Sequence, residues 1–263
     1  MAFEHILLTQ DRGVVRLRLN RPAALNALSR PMLGELIDAL DQVTRSPDAR
    51  VLILSGEGRG FSSGADLASG GASTVAGDFD AGAVLEDYYN PLIERLFALP
   101  VPVIAAVHGP VVGAGCMLAL AADVVVAARS AYFLQAFVNI GLVPDAGSSW
   151  WLPRLIGAGR ATAMMLLGER VSAETAAQWG MIYEMVEDDG LSSRADALAE
   201  KFANGPTRAY ALIRRAVRTG LETGLTEALL KERHAQREAG SSDDFREGVL
   251  AFREKRKPRF TGH

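Results

Sequence analysis

Apolar residues alternate with polar ones early in the chain and recur at helical spacing soon afterwards. In "GVVRLRLN", Val15, Leu17 and Leu19 alternate with arginines, which predicts a strand with one buried face. In "PMLGELIDALDQV" the apolar positions fall three and four residues apart, which predicts an amphipathic helix capped by Ser29. The continuous apolar runs in "RVLILSG", "PVPVIAAVHG" and "VVVAAR" are typical of strands that are buried on both faces.

Strands and helices therefore alternate between residues 14 and 130. This alternation predicts an α/β fold whose strands are largely parallel. From about residue 192 onwards, the apolar positions indicate helices only, interrupted by glycine and proline. We therefore expect a core at residues 1–191 and a helical C-terminal region at residues 192–263, which packs on that core or against another subunit.

Composition and charge exclude several classes of protein. The chain has 263 residues, of which 49% are hydrophobic, and its formal net charge of −3 predicts no nucleic-acid partner. Its one cysteine, Cys116, cannot form a disulfide within the chain and is expected in the core. Neither a signal peptide, nor a membrane span, nor a metal-binding cluster is evident in the sequence. We therefore expect a cytoplasmic protein without a membrane partner.

Two turns between a buried strand and a helix are rich in small residues, "FSSGADL" and "HGPVVGAGCML". The first N–H groups of a helix have no partner within it, and the helix dipole there attracts anions. Each turn on its own is better explained as a tight turn that glycine permits. If both turns meet at one edge of the sheet, however, their N–H groups can converge on one oxygen as an oxyanion hole. His108, at the start of the second turn, is expected to form a local hydrogen bond.

The segment "GLVPDAGSSWWLPRLIG" contains one carboxylate, that of Asp145, close to two tryptophans. Two compatible interpretations are open. Asp145 caps the helix that follows, or it is a catalytic base whose pKa is raised by burial. Several aromatic residues can either line a pocket for a flat or unsaturated group or pack in the core; these are Tyr88, Tyr89, Phe133, Phe137 and Trp150.

Taken together, several stretches resemble the enoyl-CoA hydratase/isomerase (crotonase) superfamily: "NRPAALNAL", "GRGFSSGADL", "PVIAAVHGPVVGAGCMLALAADVVVAA", "GLVPDAGSSWWLPRLIG" and "SAETAAQWGMI". The resemblance covers nearly the whole chain. It implies a crotonase-like spiral of ββα units with a helical C-terminal trimerisation region, and hence a homotrimer or a dimer of trimers. It also implies an acyl-CoA thioester as the substrate, with no separate cofactor because coenzyme A is part of that substrate.

By position in these motifs, the resemblance implies that Ala65 and Ala114 provide the two N–H groups that hold the thioester oxygen. It further implies a site for substrate and coenzyme A at Ala24, Leu25, Ser63, Ala65, Asp66, Leu67, Gly113, Phe137, Trp150, Phe252 and Lys255. From the residues alone, Asp66 is instead expected to be a cap or turn residue. Phe252 and Lys255 fall where the family contacts adenine and phosphate, in some cases from a neighbouring subunit.

The resemblance also bears on the reaction. Hydratases of the superfamily use two glutamates, and this chain has Met117 and Phe137 at those positions, neither of which carries a proton. Asp145 lies where several isomerases and dehalogenases of the superfamily have an acid. Within the superfamily, "YYNPLIERL", "GLVPDAG" and "REGVLAF" resemble isomerases of ring epoxides from phenylacetate degradation.

We therefore expect an acyl-CoA isomerase in which Asp145 moves a proton between carbons, shifting a double bond or opening a ring epoxide. Three alternatives stay open. The first is a hydratase that adds water to a 2-enoyl-CoA. The second is an acyl-CoA hydrolase or dehalogenase that uses Asp145 as a nucleophile. The third is a coenzyme A-binding protein without activity.

Overall fold

The computed structural model describes residues 3–67 and 80–263. The strands in these ranges are β1 (Ile6–Asp11), β2 (Val14–Leu19), β3 (Val51–Gly56), β4 (Val103–Val107), β5 (Pro110–Val112), β6 (Val124–Ala128), β7 (Tyr132–Leu134), β8 (Val171–Ser172) and β9 (Glu184–Val186). The helices are α1 (Arg30–Arg45), α2 (Ala81–Val84), α3 (Asn90–Ala98), α4 (Ala114–Leu120), α5 (Ser148–Leu167), α6 (Ala173–Gln178), α7 (Leu191–Ala203), α8 (Thr207–Gly220), α9 (Leu225–Gly240) and α10 (Asp243–Glu254). A π-helical turn at Leu85–Tyr89 connects α2 to α3, and 3-10 turns lie at Pro22–Ala24, Ala136–Ile140 and Asp188–Gly190.

The larger sheet has the strand order β1-β2-β3-β4-β6-β9. From β2 to β9 all neighbouring strands are parallel, which confirms the α/β arrangement predicted from the sequence. Strand β1 was not predicted, and it pairs with β2 as an antiparallel hairpin. Arg12 (φ 46°) and Gly13 (φ 82°) form its two-residue turn, and left-handed backbone at both positions is what a type I′ turn requires.

A smaller sheet of strands β5, β7 and β8 was also missed by the sequence analysis. Its strands are only two or three residues long, which is too short for a hydrophobic period to be visible. Strand β5 pairs parallel with β7, with Val111 opposite Phe133. This sheet bears on the candidate site because β5 lies within the second of the two small-residue turns and ends directly before Gly113.

The main core lies between one face of the larger sheet and the helices that cover it, chiefly α1, α3 and α4. Of the apolar stripe that the sequence predicts, helix α1 buries Leu33, Leu36, Leu40 and Val43, whereas Ile37 is only partly buried. Its predicted cap is confirmed, because the Ser29 hydroxyl accepts a hydrogen bond from the Met32 N–H at 3.4 Å. Cys116 is fully buried in α4, as expected.

The opposite face of the sheet is covered by α7. A second cluster of buried residues joins Ala195, Leu198 and Ala199 of this helix to the sheet residues Val14, Val51, Ile53, Ile104, Ala106 and Val126. The helical C-terminal region is confirmed, but α7, its first helix, packs on the sheet of the preceding range. The division into domains at residues 191 and 192 stays a prediction.

Helices α8 to α10 leave large apolar side chains exposed: Ile213, Val217, Leu221, Leu225, Leu229, Leu230, Phe245, Val249, Leu250 and Phe252. An apolar surface of this extent on several consecutive helices is typical of an interface with another protein chain. Across the ranges described above, none of the helices is both long enough and apolar enough to span a bilayer. Those same residues contain no group of three or more histidines, cysteines and acids that could hold a metal ion.

The packing of α7 predicts the effect of truncating Leu198, whose side chain is buried against the sheet. We expect Leu198→Ala to lower the free energy of unfolding by about 2–3 kcal/mol, because it removes buried methyl groups and leaves a cavity. Urea unfolding followed by circular dichroism, at fixed protomer concentration, measures this loss. The matched control is Lys201→Ala, an exposed side chain on the same helix, with an expected change below about 0.5 kcal/mol. Equal effects of the two substitutions would contradict the packing of α7 on the sheet.

Candidate active site

The first small-residue turn runs beside the chain that follows β2. The Ser63 N–H donates to the Leu25 carbonyl at 2.9 Å, and the Leu28 N–H donates to the Gly64 carbonyl at 2.8 Å. The Asp66 N–H in turn donates to the Leu28 carbonyl at 3.2 Å. Because Leu28 bonds to the residues on either side of Ala65, the Ala65 N–H faces away from this pair of segments.

The second turn lies against the first. The Ser62 N–H donates to the Pro110 carbonyl, and the Val112 N–H donates to the Ser62 carbonyl, both at 3.0 Å. A Cβ atom added to Gly64 would lie 2.9 Å from the Val112 carbonyl oxygen and 3.8 Å from the Gly113 Cα. A side chain on Gly64 would therefore collide with the backbone of Val112, so the two turns lie side by side, as the oxyanion-hole hypothesis requires.

Each of these glycines is followed by an alanine with an available N–H group. Gly64 (φ 92°) and Gly113 (φ 54°) both adopt backbone angles that L-residues rarely reach, and helix α4 begins directly after Gly113. Among the residues that the structure describes, no acceptor receives a hydrogen bond from the N–H of Ala65 or Ala114. Within the described ranges, two backbone donors without an acceptor therefore follow the glycines of two adjoining turns.

Asn26 holds the first turn in place, a role that the sequence analysis did not identify. Its side chain is fully buried, its Oδ1 accepts from the Arg21 N–H at 2.8 Å, and its Nδ2 donates to the Glu57 and Gly60 carbonyls at 2.9 Å each. Asn26 has a left-handed backbone with φ 54°, which asparagine tolerates better than most residues. Asn26 thereby ties the segment after β2 to the loop after β3.

The coenzyme A residues predicted near the first turn are brought together in part. The Ser63 hydroxyl donates to the Ala24 carbonyl at 3.3 Å, so Ala24, Leu25 and Ser63 are neighbours. The Oδ2 of Asp66 lies 2.8 Å from the Nη1 of Arg21, and the Asp66 side chain is only 7% exposed. This ion pair is what the expectation of a structural turn residue predicts for Asp66. Leu67 is exposed at the end of the same loop.

Phe252 and Lys255 are exposed at the end of α10, and Lys255 is the left-handed residue that terminates this helix. Their predicted contacts with adenine and phosphate stay predictions. His108 forms the local hydrogen bond expected of it, with its Nε2 2.9 Å from the Gly58 carbonyl oxygen. Burial raises the pKa of the Cys116 thiol to about 12, so this side chain is inert at neutral pH.

Asp145 lies in the turn that leads into α5, and its carboxylate does not cap that helix. The N-cap residue is Gly147, without a side-chain hydrogen bond, and the Ser148 N–H donates to the carbonyl of Asp145 at 2.9 Å. The capping interpretation is therefore wrong. The reason is the backbone: Ala146 (φ 49°) and Gly147 (φ 83°) are both left-handed, which is not the extended geometry that precedes a capped helix.

One oxygen of the half-buried Asp145 side chain lies in the interior. Its Oδ1 is inaccessible to solvent and has no hydrogen-bond partner in the described parts of the chain. Burial alone raises the pKa of Asp145 to about 6, from an ordinary value of 3.8. Perturbation of this kind is common at catalytic carboxylates, because a base with a pKa near neutrality can both accept and release a proton.

Tyr89 connects Asp145 to the first turn. Its buried hydroxyl lies 3.5 Å from the Leu28 carbonyl oxygen, next to the Leu28–Ala65 pairing. Burial raises the pKa of Tyr89, and the charges of Asp145 and Asp66 raise it further. Tyr89 is therefore within electrostatic reach of both carboxylates, and it belongs to a π-helical turn, a feature that is frequent at functional sites.

Met117 and Phe137, at the positions of the hydratase glutamates, are both buried. The Met117 Sδ lies 3.5 Å from the Nε2 of Gln135. A Cβ atom on Gly113 would lie 3.8 Å from the Cζ of Phe137, so this aromatic ring lies beside the second turn. The surroundings of the two turns therefore contain apolar side chains at these two positions rather than acids.

The other aromatic candidates differ in their surroundings. Trp150 packs edge-on against Phe97 and Trp151, with ring centroids at 6.1 and 4.4 Å, and the Arg154 guanidinium lies 4.1 Å from its ring centroid. Phe133 is fully buried in the main core, and Tyr88 is half-buried against the same core. Of the five aromatic candidates, Phe137 lies beside Gly113 of the second turn, Phe133 pairs with Val111, and Tyr89 contacts Leu28, which pairs with Ala65 of the first turn.

Known proteins resemble the chain over its whole length. Residues 9–263 match the family described as Enoyl-CoA hydratase/isomerase. The chain is 46% identical to 1,2-epoxyphenylacetyl-CoA isomerase of Escherichia coli (strain K12) over 259 residues, which cover 98% of this chain and 99% of that protein. It is 45% identical over 262 residues to a probable enoyl-CoA hydratase of Rhodobacter capsulatus, with 100% of both chains covered.

The similarity extends to three dimensions. The crystal structure of enoyl-CoA hydratase from Bacillus anthracis matches with a TM-score of 0.92 at 33% identity, covering 99% of this chain and 100% of that one. Relatives named as an isomerase and as hydratases are thus similar to the chain over the same length. The choice between these reactions depends on the side chains at the site.

The unpaired carboxylate predicts how stability changes with pH. Because the fold raises the pKa of Asp145, the charged form is penalised, and stability falls as the pH rises from 3.8 through about 6. Asparagine carries no charge at either pH. We therefore expect Asp145→Asn to be about 2 kcal/mol more stable than the wild type at pH 8, and nearly equal to it at pH 4.

Urea unfolding at pH 4 and pH 8, at one protomer concentration, measures this difference. The matched control is Asp189→Asn, whose exposed side chain gives no reason for a difference at either pH. The explanation by burial fails if the stability gain of Asp145→Asn is the same at both values of pH.

Proposed function

We propose that this chain, which belongs to the enoyl-CoA hydratase/isomerase family, is an acyl-CoA isomerase with Asp145 as its acid–base group. Membership of the family and the match to solved structures establish the crotonase-like α/β fold expected from the sequence. They also establish that the chain is an enzyme of acyl-CoA hydration or isomerisation. The proposal concerns which of these two reactions it carries out, and by which residues.

In the proposed reaction, the N–H groups of Ala65 and Ala114 bind the thioester oxygen of the substrate. Asp145 removes a proton from the carbon next to the thioester carbonyl, and the electrons of the broken C–H bond form an enolate whose charge rests on that oxygen. The proton then returns from Asp145 to a different carbon, and the double bonds shift. The atoms balance without water or an oxidant, and no separate cofactor is needed because coenzyme A is part of the substrate.

The observation that carries the proposal is the state of the Asp145 carboxylate. Its Oδ1 is buried and finds no hydrogen-bond partner in residues 3–67 and 80–263, and its pKa is raised to about 6. A carboxylate in this state is a stronger base than one in water, and it is not engaged in holding the fold together. A single group that takes a proton and returns it elsewhere is sufficient for isomerisation.

The side chains at the other two positions support isomerisation over hydration. Hydration requires groups that orient a water molecule and remove its proton, and the family's two glutamates for this task correspond to Met117 and Phe137. Both are buried and apolar in this chain. The similarity to the hydratase of Rhodobacter capsulatus keeps hydration by Asp145 as the second candidate.

We also propose the substrate class and the assembly. The likeness to the isomerase of Escherichia coli supports an acyl group derived from a ring epoxide or an unsaturated chain, with Tyr89 and Phe137 as aromatic walls. The exposed apolar side chains of α8 to α10 support a homotrimer or a dimer of trimers. Coenzyme A would then lie along Ala24, Leu25 and Ser63, with Phe252 and Lys255 contributed from the C-terminal region.

The proposed role of Asp145 predicts the activity of Asp145→Asn. We expect kcat to fall about 10³-fold on the ring epoxide and on a 3-enoyl-CoA, because the amide cannot accept the proton. Product formation is followed by liquid chromatography, with Asp189→Asn as the control of unchanged activity. Full activity of Asp145→Asn would remove Asp145 from the mechanism.

The same assays distinguish the alternatives. Rapid addition of water to crotonyl-CoA that depends on Asp145, without isomerisation, would favour a hydratase. A covalent adduct on Asp145 seen by mass spectrometry would favour a hydrolase or dehalogenase. Acyl-CoA binding without any turnover would favour a protein that only binds coenzyme A.

The raised pKa of Asp145 predicts the pH dependence of the reaction. The base acts when it is ionised, so we expect kcat/KM to rise with pH through an apparent pKa of about 6 and then to level off. Initial rates between pH 4.5 and 8 measure this limb. An activity that stays constant over this range would contradict a base with a raised pKa.

A further inference from the structure

We infer that Gln135 and Ser148 are positioning residues that hold the Asp145 turn against helix α4. The inference rests on the proposed role of Asp145 as the acid–base group. Gln135 follows strand β7 directly, and Ser148 is the first residue of α5, so the two come from different elements. Both side chains are fully buried although both are polar.

The link consists of consecutive hydrogen bonds. The Ser148 hydroxyl lies 2.7 Å from the carbonyl oxygen of Asp145 and 3.1 Å from the Oε1 of Gln135, so its proton is shared between two acceptors. At its other end, the Nε2 of Gln135 donates to the Met117 Sδ at 3.5 Å.

The link therefore joins the two parts of the proposed site. Met117 belongs to α4, which begins at Ala114, the residue proposed to bind the thioester oxygen. At the opposite end of the link is the backbone of Asp145, the proposed base. Gln135 and Ser148 thus set the distance between the base and the oxyanion donor. Both side chains are buried from solvent.

The Asp145 turn needs such support because its backbone is unfavourable. Ala146 has a left-handed φ of 49°, which is unfavourable for a residue with a Cβ atom, and Gly147 is left-handed as well. The Oδ1 of Asp145 gains nothing from hydrogen bonds in this position. Without the link, we expect the turn to relax and the carboxylate to move towards water.

A purely structural role would make a different set of predictions. If Gln135 and Ser148 only satisfied one another in the core, their loss would lower stability and leave the chemistry unchanged. A positioning role requires a lower kcat with a similar KM, because the base moves while the coenzyme A contacts stay. It also requires a shift in the pH dependence, because a carboxylate that reaches water recovers an ordinary pKa.

The experiment compares Ser148→Ala and Gln135→Met with Ser149→Ala, an exposed serine one residue further along the same helix. For each variant, kcat, KM, the pH profile of kcat/KM and the melting temperature are measured on the substrate that the wild type isomerises. We expect both test variants to lose at least about tenfold in kcat with KM within about twofold. Their acidic limb should move below pH 6, towards 3.8, and Ser149→Ala should match the wild type.

The outcomes separate this inference from the proposed function. If Asp145→Asn is inactive but Ser148→Ala and Gln135→Met keep the kcat and pH limb of the wild type, the positioning role is wrong and the proposed function stands. If Asp145→Asn is fully active, both are wrong. Should Gln135→Met fail to fold, Ser148→Ala, which removes a single oxygen atom, still decides the question.

Discussion

The close packing of the two small-residue turns, at Gly64 and at Val112–Gly113, is the constraint on which the rest of the site depends. A side chain on Gly64 would collide with the Val112 carbonyl, and both glycines have backbone angles that favour glycine. This packing sets Ala65 and Ala114, the residues that follow the two glycines, on adjoining turns. The short sheet of β5, β7 and β8 supports the second turn, and the hydrogen bonds of the buried Asn26 support the first.

The site also contains two features that lower the stability of the fold. The Oδ1 of Asp145 is buried and has no hydrogen-bond partner among the described residues, and Ala146 has a left-handed backbone. Strain and unpaired charge of this kind persist only where the surrounding structure holds them, and they are common at catalytic sites. Here the surrounding structure is a large apolar core on both faces of a parallel sheet, which supplies stability from residues that take no part in the proposed chemistry.

The sequence predicts those parts of the molecule that a local pattern encodes. Strands β2, β3, β4 and β6 were recognisable because alternation or a continuous apolar run marks them, whereas β5 and β8 are too short to show either. Asp145 was identified as a candidate base, but its capping interpretation was wrong because nothing in the letters reveals a left-handed Ala146. Gln135, Ser148 and Asn26 were missed because their partners come from other segments, and a buried polar role exists only once these segments have met.

The aromatic residues that follow Asp145 have an optical consequence. Two of the three tryptophans of the chain, Trp150 and Trp151, lie within the first turn of α5, and a Cβ atom on Gly147 would lie 3.1 Å from the Trp151 Cδ1. The indole of Trp151 therefore rests directly on the turn that carries the carboxylate. Any displacement of that turn changes the surroundings of a natural fluorophore, so the protein contains its own emission probe at the place where the chemistry is proposed to occur.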